Sequence, residues 1–130
     1  YYPIWHGKSL ISLQSAMQNL SSLHDKKIVI AETAYPFTLE WNDLTNNIVG
    51  LEEQLILQEY PPTAQGQKDF IKHIRIMIKE LEKAIGFCYW GAELIAWKGN
   101  QSMDGSAWEN QAIFDFNNKA LPVLEEFRSE

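Results

Sequence analysis

Apolar positions along this chain follow two different periods, and the switches between them outline its elements. Residues 9 to 24 carry Leu10, Leu13, Met17, Leu20 and Leu23 at spacings of three and four, the period of a helix with one apolar stripe, and Ser9 stands where an N-cap belongs. Lys26 and Lys27 lead into Ile28-Val29-Ile30-Ala31-Glu32. That run is too short for a helix and rich in β-branched residues, so it predicts a strand buried on both faces. A long loop over about 33–63 holds Pro36, Gly50, Pro61 and Pro62. A second stripe, Phe70, Ile74, Met77, Ile78, Leu81 and Ile85, predicts a helix over about 65–85, stopped by Gly86. Residues 87–90, Phe-Cys-Tyr-Trp, then form another short buried strand, followed by a second long loop, 91–113. The tail "NNKALPVLEEF" predicts a last helix with Pro122 in its first turn. The opening "YYPIWHG" fits the end of a buried strand running into a loop.

Strand, loop, helix, strand, loop, helix implies parallel strands joined by crossovers. Both long segments follow strands, whereas the turns from helix to strand stay short. That asymmetry belongs to the (β/α)8 barrel, whose working face is made of the loops after the strands. A whole barrel needs about 250 residues, so residues 1–130 read as one partial barrel domain, part of something longer. With a side-chain period of two, Ile28, Ile30 and Glu32 share one face. If that face points inward, Glu32 sits at the floor of the cleft, with Trp90 ending the second strand beside it. Tyr2, Trp5 and His6 close the first strand. A carboxylate among aromatic faces, a phenol and an imidazole is the chemistry of a glycosidase, where a carboxylate attacks the anomeric carbon and rings stack on sugar.

Composition changes this picture only by exclusion. At 45% hydrophobic and 22% charged the chain is that of a globular protein with a core. A net charge of −6 and a pI near 5.0 argue against nucleic acid or an anionic membrane as partner. No apolar run approaches the roughly 20 residues of a membrane span. A single cysteine, Cys88, excludes an internal disulfide, and its alternation away from Phe87 predicts a buried, inert thiol. Five tryptophans suit a core, an interface or a sugar platform equally, so their placement decides.

The segments "YYPIWHG", "IVIAETAYPFTLEW", "GFCYWGAE" and "SAWENQAIFDFNNKALPVL" closely resemble the carboxyl-terminal half of glycoside hydrolase family 53, the endo-β-1,4-galactanases that cut galactan and arabinogalactan side chains of pectin. The resemblance implies a retaining α/β hydrolase whose chain here runs from the end of strand 6 through helix 8 of a (β/α)8 TIM barrel. It implies Glu32 as nucleophile at the end of strand seven and Tyr2 as the donor that holds that carboxylate ionised and aimed. Trp5 and His6 would line the same subsite, Trp90 would form the platform under the sugar being cleaved, and Trp108 would serve a more distant subsite. Tyr35 is a further substrate-binding candidate. The family's acid/base is a second Glu in an Asn-Glu pair at the end of strand four, and no Asn-Glu pair occurs in this chain. Glu93, Asp104 and Glu109 are the carboxylates that could stand in for it.

No cofactor is expected. Some bacterial family members hold calcium after strand seven on a glycine-rich Asp-Gly-Asp-Gly-His stretch. Here the 40–47 loop offers only Asp43, Asn46 and Asn47, against the six to eight oxygens calcium takes. The implied partner is β-1,4-galactan, with no nucleic acid and no membrane, and the implied setting is secreted or cell-envelope, periplasmic in a bacterium. Two other readings stay open at this point: a carbohydrate-binding half-barrel without catalysis, and a fragment whose exposed barrel surfaces drive self-association.

Overall fold

The computed structural model describes residues 1–7 and 9–128. Tyr2 is extended and leads into a four-residue helix, α1 (Pro3–His6), with proline at its start, where a missing N–H costs nothing. The strand end expected here is not formed among the described residues; the Tyr1 terminal amine donates to the Glu32 carbonyl at 2.5 Å instead. Helix α2 spans Leu10–His24, and the Ser9 hydroxyl accepts from Ser12 N as an N-cap should. Strand β1 (Ile28–Thr33), helix α3 (Ala64–Glu80) and strand β2 (Ala84–Tyr89) follow, with short 3-10 turns at Glu52–Gln54, Glu109–Gln111 and Pro122–Phe127.

Two boundaries differ from the sequence reading. Helix α3 ends at Glu80 rather than near 85, because Ala84 pairs with Ile28 and the ladder takes the backbone groups that a longer helix would use. The closing helix is a single 3-10 segment begun by Pro122.

Helix α3 holds the core. Phe70, Ile71 and Ile74 are fully buried and cluster with Met77 and Ile78, with Ile30 of β1 and with Val123 of the closing turn. Each such side chain contributes about 1.5–3 kcal/mol relative to exposure. The helix starts at Thr63, whose hydroxyl accepts from Gly66 N at 3.0 Å. Gly66 has no alternative there: a Cβ would lie 1.9 Å from the Pro61 carbonyl oxygen. Arg75 and Glu126 pair at 2.9 Å, and Lys68 pairs with Glu125, which fastens the closing turn to the helix.

β1 and β2 pair in parallel with Ile30 opposite Phe87 and Thr33 opposite Tyr89. Between those pairs β1 has Ala31 and Glu32 where β2 has Cys88 alone, so β1 carries a bulge. Its effect on side-chain direction corrects the expectation that Ile28, Ile30 and Glu32 share one inward face. Ile30 and Thr33 are both buried on the helix side, and Ala31 and Glu32 are both exposed. Strict alternation would have sent Glu32 into the helix layer. The side away from the helices is open: Val29 is 47% exposed, Ile85 62% and Trp90 45%. Cys88 is also exposed, contrary to the buried thiol expected, because it lies on this open face of the sheet.

Candidate active site

Glu32 stands just past the bulge, at the carboxyl end of β1. Its Oε2 accepts a hydrogen bond from the Tyr2 hydroxyl at 3.1 Å. Tyr2 is buried, and that burial, together with the Glu32 carboxylate, pushes its phenol well above the ordinary range. The hydroxyl therefore stays protonated and remains a donor. Aromatic rings surround it: Trp5 packs edge-on at 4.9 Å between centroids, and Trp108 lies 5.8 Å from Tyr2 and 6.3 Å from Trp5. Trp5 is itself 54% exposed, so one indole face is free at the edge of the group.

His6 joins this group from beneath. Its Nδ1 lies 3.0 Å from both the backbone N and the backbone O of Tyr2, which folds the imidazole back over the start of α1. A hollow of about 440 Å³ opens beside it, lined by Tyr1, His6, Gly7, Ser12, Leu13 and Ala16. Trp90 follows β2, its backbone N–H donating to the Thr33 carbonyl at 2.9 Å, with its indole exposed. Glu32, Tyr2, Trp5, His6 and Trp108 thus form one connected group, and Trp90 stands at the neighbouring strand end. The cleft floor expected at Glu32 is not enclosed by this chain: Glu32 is exposed.

Tyr35 lies elsewhere. It is 2% exposed, its ring stacks on Phe70 at 4.5 Å, and its hydroxyl donates to the Tyr60 carbonyl at 2.6 Å. Its substrate-facing placement is corrected on that geometry: a phenol consumed by a backbone carbonyl inside the core has no face to offer a sugar. His73, on the exposed side of α3, bonds to the Tyr60 hydroxyl at 2.5 Å through Nδ1.

Sequence reasoning missed the polar framework behind the site. Gln67 is fully buried on α3, and its Nε2 donates to the carbonyls of Tyr35 and Ala112, each at 3.0 Å, and lies 3.1 Å from the Tyr89 hydroxyl. Tyr89 in turn donates to the Gln111 carbonyl at 2.7 Å. One glutamine thereby joins both loop stems to the helix. A polar residue interrupting the apolar stripe between Ala64 and Phe70 was the available sign. Glu109, considered above as a stand-in acid, is 1% exposed and engaged with backbone amides of the loop after β1. Burial pushes its carboxyl above the usual range while the amides of Asn42 and Asp43 pull the other way.

The model of glycosyl hydrolase family 53 matches residues 1–127. An arabinogalactan endo-β-1,4-galactanase of Cellvibrio japonicus (strain Ueda107) is 32% identical over 136 residues, which cover 100% of this chain and 35% of that protein. An endo-β-1,4-galactanase of Bacillus subtilis (strain 168) is 29% identical over 160 residues, 98% of this chain and 37% of the relative. The GH53 catalytic domain of Ignisphaera aggregans superposes with a TM-score of 0.88 at 40% identity, covering 98% of this chain and 36% of that one. The chain spans about a third of the length of these relatives, and its fold is the carboxyl-terminal portion of a (β/α)8 barrel. With nearly its whole length matched by the family model, the chain belongs to glycosyl hydrolase family 53.

Proposed function

We propose that this chain is the nucleophile-bearing part of a retaining endo-β-1,4-galactanase acting on galactan and arabinogalactan side chains of pectin. The observation that carries the reading is the Tyr2 hydroxyl held 3.1 Å from Glu32 Oε2 within a cluster of tryptophans at the strand ends. Glu32 attacks the anomeric carbon with an electron pair of its carboxylate and forms a glycosyl ester; the glycosidic C–O bond breaks, its oxygen keeps the bonding electrons and takes a proton from the second carboxyl group, and water then hydrolyses the ester. Tyr2 donates to the oxygen that does not attack and so fixes the carboxylate's direction. Trp5, Trp108 and Trp90 offer faces on which galactose rings stack, and His6 steadies the Tyr2 backbone. The mechanism requires a second carboxyl group about 5–5.5 Å from the first and no cofactor. Such an enzyme meets its polymer outside the cytoplasm, in a secreted or cell-envelope setting; among the described residues no helix is long and apolar enough to cross a membrane.

The division of the two carboxyl groups gives the test. The purified chain is expected to release no oligosaccharide from galactan. Fused behind the upstream two-thirds of the Ignisphaera relative, it is expected to cleave galactan internally with retention of the anomeric configuration, read by NMR of the first product formed. Hydrolysis by the chain alone, or inversion by the fusion, refutes the assignment.

Tyr2→Phe in the fused enzyme isolates the role of the phenol. The ring keeps its packing against Trp5 and Trp108 while the donor is lost, so kcat is expected to fall on the order of 10²-fold with little change in the melting temperature. An unchanged kcat would remove Tyr2 from the mechanism.

A further inference from the structure

The motif Trp108-Glu109-Asn110-Gln111 marks the family resemblance, yet only its tryptophan touches the group around Glu32. Its three polar side chains are all buried. Glu109 Oε1 accepts from Asn42 N at 2.6 Å and Oε2 accepts from Asp43 N at 3.0 Å. Asp43 reciprocates: its Oδ1 accepts from Thr45 N at 2.7 Å and its Oδ2 accepts from Ser106 N, in the other loop, at 2.9 Å. Each of these carboxylates is 1% exposed. Asn110 Nδ2 adds bonds to the carbonyls of Val49 at 2.6 Å and Thr38 at 2.9 Å.

Two adjacent buried carboxylates are a costly way to join two loops, since each loses its hydration and they repel each other. The arrangement gains something that neutral contacts would not: several short, charge-assisted bonds whose directions are fixed by the backbone. Those bonds converge on the residues next to Trp108. Ser106, whose amide is held by Asp43, also places its hydroxyl 3.3 Å from Trp108 N as acceptor, and Glu109 follows Trp108 directly. The far side of the Trp108 ring meets Tyr2 and Trp5.

We propose that Asp43 and Glu109 form a reciprocal carboxylate staple between the loops after β1 and β2, and that they are positioning residues which hold Trp108 against Tyr2 and thereby set the wall of the sugar site. The bonds that satisfy them are amide N–H donors, so the staple works without a cation. Its value to catalysis rests on the galactanase reading, but its geometry does not.

The test uses the 130-residue chain labelled with ¹⁵N-tryptophan, which gives one indole N–H resonance for each of Trp5, Trp41, Trp90, Trp97 and Trp108, assigned by single Trp→Phe replacements. Glu109→Gln puts an amide NH2 donor where one of the two carboxylate acceptors is needed. It is expected to shift the Trp108 and Trp5 resonances while leaving Trp97, packed under Lys98 with Nζ 4.9 Å from its ring centroid, in place. Gly105→Ala reaches the staple from the other side without removing a charge, because its Cβ would lie 2.2 Å from Asp43 Oδ2. It is expected to give the same pattern, and it carries the test if Glu109→Gln fails to fold. The proposal is overturned if a folded variant leaves Trp108 and Trp5 at their original positions, if all five resonances move together, or if a chelator alone reproduces the shifts, which would mean that a cation closes the loops. Galactan plays no part in this readout, so a fused enzyme that fails to cleave galactan would leave the staple standing.

Discussion

Glu32→Ala in the fused enzyme is expected to lower galactan hydrolysis by on the order of 10⁴-fold or more, the scale of losing a covalent nucleophile. The loss alone would not separate a nucleophile from an acid/base, since both are required. Azide makes the distinction. With Glu32 shortened to a methyl group, azide enters the vacated space on the α face and, with an activated aryl β-galactan oligomer, forms the α-glycosyl azide; the aryloxide departs with the bonding electrons. Restored turnover with that product identifies Glu32 as the group that attacks the anomeric carbon. A β-azide product would make it the acid/base, and more than a hundredth of the original rate without azide would show that another side chain performs the step. The substitution spares the core, because the carboxylate is exposed and accepts from the Tyr2 hydroxyl at the strand end.

The second large effect concerns stability. Phe70→Ala is expected to cost about 3–5 kcal/mol, read as a lowered urea midpoint with an unchanged slope. Phe70 is 0% exposed and stacks on Tyr35, and Tyr60 meets its edge at 5.6 Å. Removing it leaves both phenols facing a cavity. That is a large share of the roughly 5–15 kcal/mol that holds a domain folded. The variant should also loosen the loop after β1, since the Tyr35 backbone is tied to Tyr89 and Gln67. A loss below about 1 kcal/mol would mean that the core collapses around the missing ring, contrary to the dense packing that surrounds it.

Much of this was legible in the residues. The spacing from Phe70 to Ile78 gave the face of α3, Ser9 gave the start of α2, and the isolated acid after Ile30 gave the position of Glu32. Local signals of that kind survive because each element answers to a short stretch of chain. What escaped the sequence depends on pairing. Ala84 and Ile85 extend the apolar stripe at helical spacing, and only the ladder to Ile28 and Val29 turns them into strand. Leu20 and Leu23 also fit a stripe, yet both are exposed. Tyr35 looked like a site residue by its neighbourhood to Glu32, three positions away, and lies in the core. Glu109 looked like a stand-in acid and is buried. Nothing local distinguishes a carboxylate that will meet water from one that will meet the amides of a loop more than sixty residues distant, as Glu109 meets Asn42.

The extra residue in β1 has a wider meaning for anyone moving this site. Strand sequence and strand register are separate instructions here: the letters specify an acid, while the count between Ile30 and Thr33 decides which way it looks. A graft of "IVIAET" into another barrel would carry the correct chemistry and, if straightened into even pairing, aim it at the wrong compartment. Deleting Ala31 alone should do the same harm as deleting the carboxylate, with every reactive atom still present.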